Sequence, residues 1–504
     1  MLRISPALRM DLLAAIPGAA ICTVLMLPML TSLPLVLDEH GTWWITGDGP
    51  LNLWRRSLEY ENIPPLAPAI HWLFISILGK SEFAFRLPVA LLTIAAVIVT
   101  SLVGTRFSDR RLGLIAGIVL ALHPDVLNET RIARCYALSL LLAALLLLAV
   151  LKWLRYPTRP GGPLLWTITA SGLVWTHYLN FPVVAISLIM LLLSVRIPVT
   201  SHRGWLLLPI GITGVSILPL LPAIYRMFVW GSLFEFQQSA TLNEVLSGMW
   251  WCGLPLALTL RLFIRSTRVD PESSRCSHQI IWLTVLFVGL PTLATLGCTI
   301  AGSFSLTAPR YRTAIQPVAA ICWAYWATRG LRLSRSLPLL TCCLTAVWLC
   351  QTAAPWTPIR LQTRQANQWK RVAMYLNQHI STAEPIFVQS GLGDAWLLAW
   401  MHEDTVLHDF VGCRCGRFYL PTANPRFGLP MHWEINPDIK DWYQQQLQEL
   451  RRQKQGLWIA VAIDTDLNIQ SALVFTRLVS DCGFQQAEYF LQQDVSVMRF
   501  IPKD

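Results

Sequence analysis

The stretch that decides the fold is residues 10–44, MDLLAAIPGAAICTVLMLPMLTSLPLV followed at once by LDEHGTWW. An apolar run over 12–35 is long enough to cross a hydrocarbon core of about 30 Å. It is too long for a signal-peptide core and shows no clear small-x-small cleavage pattern, so it is expected to remain as a first membrane span. The chain leaves it on two adjacent carboxylates, Asp38 and Glu39; behind them Trp43 and Trp44 are expected to form an interface belt, and His40 has no evident role.

Composition extends that reading to the whole chain. Of 504 residues, 54% are hydrophobic and only 14% charged, and the mean hydropathy is +0.47. A soluble protein of this size needs more charge to cover its surface. The net charge of +11 could suit nucleic acid, but its distribution argues against such a partner. Arg3 and Arg9, Arg106, Arg110 and Arg111, Lys152, Arg155 and Arg159, and Arg329, Arg332 and Arg335 cluster in short loops. These alternate with loops poorer in Lys and Arg, the positive-inside pattern. Eleven spans are expected: 12–35, 86–105, 112–123, 135–154, 164–179, 181–195, 205–224, 249–264, 280–301, 313–328 and 337–354. A cytoplasmic N-terminus and an odd span count then put segments 36–85, 124–134, 225–248 and 302–312 outside, with everything beyond about Trp356. Residues 1–355 form the membrane domain and 356–504 an extracytoplasmic domain.

Within the first outer segment, DGPLNLWRRSLEYE (48–61) reads as a short interfacial helix, with Asp48 as cap and Pro50 near its first turn. Leu51, Trp54 and Leu58 would share its lipid-facing side. PPLAPAIHWLFISILG (64–79) reads as a helix resting on the bundle. In the tail, TRQANQWKRVAMYLNQHI, PDIKDWYQQQLQELRRQ and LNIQSALVFTRLVSDCG are helical patterns. PIFVQS, GLWIAVAI, AEYFLQQ and SVMRFIP read as strands. Their alternation makes a small α/β domain, and without a Gly-rich phosphate loop it is assigned no nucleotide. Most of the 12 cysteines lie in apolar runs, where they act as small hydrophobes. Cys413, Cys415 and Cys482 in the tail leave room for one disulfide, and no zinc-type C-x-x-C pair occurs.

Arginines on the outer side break the charge rule. Arg86 opens the second span, Arg131 and Arg134 lie in NETRIARCYALS, and Arg310 and Arg312 in APRYRTAIQP. Guanidinium forks hold phosphate oxygens through charge-assisted, often bidentate hydrogen bonds. Their convergence would make a phosphate pocket at the membrane surface; the bland alternative is snorkelling to headgroups or pairing with Glu82 and Glu129. Asp38 and Glu39, if helical, point roughly 100° apart, so one could act while the other anchors a neighbour. The bland alternative for Asp38 is a helix cap. A carboxylate beside arginines can take a proton from an acceptor hydroxyl while they stabilise a departing phosphate. Glu61 is a second acidic candidate.

The order D-E after the first span, then PPL (64–66), FRLPVAL (85–91), ARCYALSL (133–140), THYL (176–179) and PRYRTAIQP (309–317) resembles the membrane-embedded C-type glycosyltransferases. Within them it is similar to the protein O-mannosyltransferase and aminoarabinose-transferase families, over residues 30–330. The resemblance implies the GT-C fold, a polyprenyl-phosphate sugar donor, and an inverting mechanism. It implies Asp38 as general base with Glu39 its acidic neighbour, and Arg134 and Arg310 on the donor phosphate with Arg86 at the R-x-P helix start. Arg131 and Tyr311 join that donor-phosphate set. Glu61, Tyr136, His177 and Arg312 are candidates for substrate contact. Many relatives carry Glu-Lys or His before the double proline, where this chain has Glu61-Asn62-Ile63. A divalent metal on Asp38 and Glu61 is therefore left open, and no other cofactor is expected.

An outward site fits such a donor, since nucleotide sugars are not expected outside the cytoplasmic (inner) membrane and the sugar must arrive on a flipped lipid. The acceptor is a lipid, protein or glycan hydroxyl. The competing readings are a transporter or flippase of a lipid-linked sugar without transfer chemistry, and a degenerate member whose tail is a binding module. Against the transporter, the sequence has no internal repeat and no paired broken helices.

Overall fold

The computed structural model describes residues 6–32, 34–194, 203–231, 297, 309–333, 364–391, 393–413, 418–419, 423–463, 465–492 and 495–503. Its backbone divides into two units. One comprises Met1–Thr31, Ile63–Arg226 and Gln237–Leu361; the other Ser32–Asn62, Met227–Phe236 and Gln362–Asp504.

In its described residues the first unit is helical. The expected spans 12–35, 86–105, 135–154, 164–179 and 181–195 correspond to helices Pro6–Met26, Glu82–Phe107, Tyr136–Arg155, Gly161–Thr176 and Phe181–Ser194. The stretch 205–224 is Arg203–Ile217 followed, after one 3-10 turn, by Leu221–Gly231. The stretch 313–328 is Gln316–Leu333. The stretch 112–123 is Arg110–Ala121, bent by 56° from the short Pro124–Thr130 helix that follows. Expected spans 249–264, 280–301 (residue 297 apart) and 337–354 lie outside the described residues. Among the described residues four helices are long and apolar enough to cross a membrane, or five if the bent pair counts as one.

Capping sharpens the helix starts. Ser81 Oγ accepts from the Ala84 N–H at 3.0 Å and Asp109 Oδ1 from the Leu112 N–H at 2.9 Å, satisfying donors that a helix start leaves open. Without bulk water to drive association, small residues let membrane helices approach closely. A Cβ on Gly18 would sit 2.7 Å from the Gly117 carbonyl carbon, and one on Gly104 would sit 3.0 Å from the Gly113 Cα. Cys22, Met26, Ala90, Val97, Leu120 and Leu140 are buried together in the resulting core. The helix expected to rest on this bundle is Leu66–Leu78; its His71 Nδ1 donates to the Phe85 carbonyl at 2.9 Å.

The second unit contains a five-stranded sheet in the order β2-β1-β3-β5-β4, with β1 Ile386–Gln389, β2 Arg426–Gly428, β3 Leu457–Ala462, β4 Phe484–Gln492 and β5 Val495–Pro502. β1 pairs in parallel with β2 and β3, while β5 runs antiparallel to β3 and β4. β1 and β3 are buried along their whole length, as continuous apolar runs covered on both faces should be. Alternation sends Ile386, Val388, Trp458 and Ala460 against Trp369, Val372 and Leu376 of helix Arg364–His379. Phe387, Ile459 and Val461 face Ile439, Tyr443 and Phe475 of helices Asp438–Arg452 and Asp466–Asp481. The result is an α/β/α sandwich that contains the three helices and four strands expected of the tail, together with β2 and helix Thr405–Cys413, which were not expected. Cys482 is a free thiol; Cys415 and the Cys413 side chain lie outside the described residues.

The first outer segment departs from expectation in two places. Helix Pro50–Glu59 forms, but Gly49 is its N-cap and Asp48 instead pairs with Arg56. Its buried side is Leu53, Ser57 and Leu58, while Leu51 is 86% exposed. Trp43 and Trp44, suited by composition to a bilayer interface, are buried within the second unit. Trp44 meets the Phe410 ring at 4.7 Å and Trp43 the Phe418 ring at 5.0 Å. The indole N–H of Trp44 finds a carboxylate there, a partner that an aromatic ring needs when it goes inside.

Candidate functional site

Four pieces of the first unit converge on one small cleft: the start of helix Tyr136–Arg155, the end of helix Gly161–Thr176, the 3-10 turn Tyr178–Asn180 and the 3-10 segment Pro309–Ile315. It is lined by Tyr136, Ser139, His177, Asn180, Arg310 and Tyr311 among others. His177 leaves the helix in an extended conformation and its Nδ1 accepts from the Leu179 N–H at 3.1 Å. That bond puts the imidazole proton on Nε2. The ring lies between Tyr136 and Tyr311, each 6.4 Å away between centroids. The Arg310 guanidinium sits 5.4 Å from the Tyr311 ring centre. The charges of Arg134 and Arg310 both fall on His177, so two expected phosphate-binding arginines act on the same side chain.

The cleft therefore gathers Tyr136, His177, Arg310 and Tyr311, with Arg134 in electrostatic range. Arg312 is instead 3.9 Å from Asp125 Oδ2. Arg86, the fifth residue of helix Glu82–Phe107, is 4% exposed, and Arg131 follows helix Pro124–Thr130 as its C-cap. Three neutral residues of the cleft escaped the sequence reading. Asn180 donates to Ser139 Oγ at 2.9 Å and to the Leu173 carbonyl at 3.0 Å, and Thr313 Oγ1 donates to the Arg310 carbonyl at 2.9 Å. A buried asparagine in an apolar stretch was the available signal, because polar groups at membrane depth are costly unless used. Guanidinium groups with neutral hydroxyl and amide neighbours can hold an anion and hydrogen-bond polyol hydroxyls beside it.

The acidic candidates belong to the second unit. Helix Leu37–Thr46 carries Asp38 and Glu39 in its first turn, where negative charge complements the helix dipole. Glu39 is fully buried and its carboxylate accepts from the Val36 N–H at 2.8 Å, half of a capping box. Asp38 stays partly exposed. Glu61 is also partly exposed, and its N–H donates to the Arg56 carbonyl at 3.1 Å. Among the described residues no three His, Cys, Asp or Glu side chains converge in metal-ligand geometry. Asp38 and Glu61 alone do not make a metal site.

Residues 62–222 match the family described as dolichyl-phosphate-mannose-protein mannosyltransferase. No curated protein sequence matches the chain significantly. In fold, the chain is similar to ArnT from Cupriavidus metallidurans bound to undecaprenyl phosphate, at 14% identity and a TM-score of 0.58, over 96% of this chain and 97% of that one. The oligosaccharyltransferase AglB from Archaeoglobus fulgidus, in complex with an inhibitory peptide and a dolichol-phosphate, follows at 11% identity and a TM-score of 0.49, over 97% of this chain and 74% of that one. The arabinofuranosyltransferase AftD from Mycobacteria has 15% identity and a TM-score of 0.48, over 98% of this chain and 42% of that one. Over residues 62–222 the sequence thus matches a mannosyltransferase family, and over nearly its whole length the chain has a fold similar to that of ArnT.

Proposed function

We propose that the chain transfers a sugar from a polyprenyl-phosphate donor to an acceptor hydroxyl on the outer face of the cytoplasmic membrane, with inversion at the anomeric carbon. Arg134 and Arg310 hold the donor phosphate, with Arg86 and Arg131 lending positive charge. Tyr136, His177 and Tyr311 shape the sugar end. Asp38 takes the proton from the acceptor hydroxyl. That oxygen bonds to the anomeric carbon as the bond to the phosphate oxygen breaks, and the polyprenyl phosphate leaves with its extra negative charge against the arginines. Glu39 fixes the start of the Asp38 helix. Eleven spans would carry the chain, with the α/β domain outside.

The observation that carries this reading is the cleft in which Arg310, Tyr136, His177 and Tyr311 converge, within a chain whose 62–222 segment matches a polyprenyl-type sugar transferase family. Kinetics in proteoliposomes with a polyprenyl-phosphate sugar test it. Asp38→Asn is expected to lower kcat by about 100-fold or more, the scale of a lost general base, with donor binding retained. Arg310→Ala is expected to raise the donor KM. Wild-type transfer by Asp38→Asn would remove the base assignment; unchanged donor KM in Arg310→Ala would remove the phosphate assignment.

A further inference from the structure

Helix Leu37–Thr46, which carries Asp38, is held at both ends by the C-terminal α/β unit. Just before the helix, the Leu35 N–H donates to Tyr419 Oη at 2.8 Å. Near its end, Trp44 Nε1 donates to Asp409 Oδ2 at 2.8 Å. Between them, His40 packs edge-on against Tyr419 at 5.6 Å, which accounts for a histidine that the sequence left unexplained. Asp409 and Phe410 belong to helix Thr405–Cys413. Asp404 caps that helix, accepting at Oδ1 from the Val406 and Leu407 N–H groups at 2.9 and 3.0 Å. The same carboxylate accepts from Tyr60 Oη at 3.2 Å, beyond the following helix of the outer segment.

Packing alone would hold the Trp44 ring, which meets Tyr60 at 5.8 Å and Phe410 at 4.7 Å. A charge-assisted bond from its indole adds a direction. A ten-residue helix is short and stiff, and Asp38 lies six residues, about 9 Å, from Trp44 along it. Fixing one end by a backbone donor and the other by a side chain on one face sets both the position and the rotation of the helix. The rotation decides where the Asp38 carboxylate points.

We propose that Asp409, through Trp44, is a positioning residue for the general base, so that the C-terminal domain sets the orientation of Asp38. The proposal rests on the assignment of Asp38 above. Misplacing a reacting group by about 1 Å can cost about 100-fold in rate.

The test is steady-state kinetics of the full chain in proteoliposomes with a polyprenyl-phosphate sugar. Trp44→Phe keeps the ring and loses only the donor; Asp409→Leu loses the acceptor. Each should lower kcat by about 10- to 100-fold while the donor KM stays within about twofold, and the double variant should fall no further than the worse single one. Asp409→Asn, which keeps an acceptor oxygen, should restore most of the kcat lost in Asp409→Leu. If Asp38→Asn has lost transfer while Trp44→Phe and Asp409→Leu turn over at the wild-type rate, the positioning role is wrong and the base assignment stands. If Asp38→Asn itself turns over normally, the base assignment fails and takes the positioning role with it. Strictly additive losses, or no rescue by Asp409→Asn, overturn the proposal as well.

Discussion

Acid should loosen helix Thr405–Cys413, and His408 makes the effect calculable. His408 is 2% exposed, stacked on Trp442 at 4.7 Å and 18°, with Nε2 donating to the His402 carbonyl. Burial pushes its pKa down from the ordinary 6.5 to about 4; the His402 carbonyl, Gly428 and Asp404 pull it up less strongly, and His402's charge opposes them. When the helix opens, the imidazole regains its ordinary pKa. Between pH 6.5 and 4 the open form then binds more protons than the closed one, so the closed form loses stability as pH falls through that window and no further below it. From pH 7 to pH 5 the loss amounts to about 2 kcal/mol, since one pKa unit is worth about 1.4 kcal/mol. Hydrogen exchange of the 405–413 amides, corrected for intrinsic rates, should show the opening free energy falling by that amount. His408→Gln, which keeps a donor but does not titrate, should flatten the dependence. An equal pH slope in wild type and His408→Gln would refute the burial argument.

Two further outcomes test the packing of each unit. A Cβ on Gly113 would meet Thr105 Oγ1, the Ser101 carbonyl at 2.5 Å and the Thr105 nitrogen at 2.8 Å, so Gly113→Ala should lower stability in detergent by about 1–3 kcal/mol; an unchanged thermal midpoint would show that the two helices can part without cost. In the α/β unit, Glu384 accepts from Trp458 Nε1 at 2.8 Å and from Arg499 Nη2 at 2.8 Å with only 7% of its side chain exposed. Glu384→Leu strands the Trp458 indole N–H, while Arg499 keeps Glu488 at 2.8 Å, and should cost about 1–3 kcal/mol, read as faster exchange of β3 and β5 amides; unaltered exchange would contradict it.

The tail was legible because its periods are clean. The helical spacing of Ile439, Tyr443 and Leu447 admits one element, and the apolar run at 457–462, six residues long, is too short for a helix. β2 has three residues, too few for any period to register, and helix Thr405–Cys413 went unassigned with it. Trp43 and Trp44 misled because a tryptophan after an apolar run suits a membrane interface and a protein core equally; only Asp409, 365 positions from Trp44, tells them apart. Asp48 looked like a cap because local spacing ranks it so, yet Arg56 eight residues on competes for its carboxylate. At the cleft, arginines out of place by the charge rule signalled Arg134 and Arg310. Ser139, Asn180 and Thr313 carried no such conflict, and their roles depend on neighbours across the fold.

Sugar transfer from a lipid phosphate is read from its products. The purified chain is incubated in proteoliposomes with a polyprenyl-phosphate sugar labelled at the anomeric carbon and an acceptor-containing outer-membrane or periplasmic fraction. Carbon-13 NMR of the product should show the label on an acceptor oxygen with inverted anomeric configuration, and free polyprenyl phosphate should appear in equal amount. Label that crosses the bilayer still bound to its lipid phosphate, with no acceptor modified, would mark a transporter and contradict the assignment.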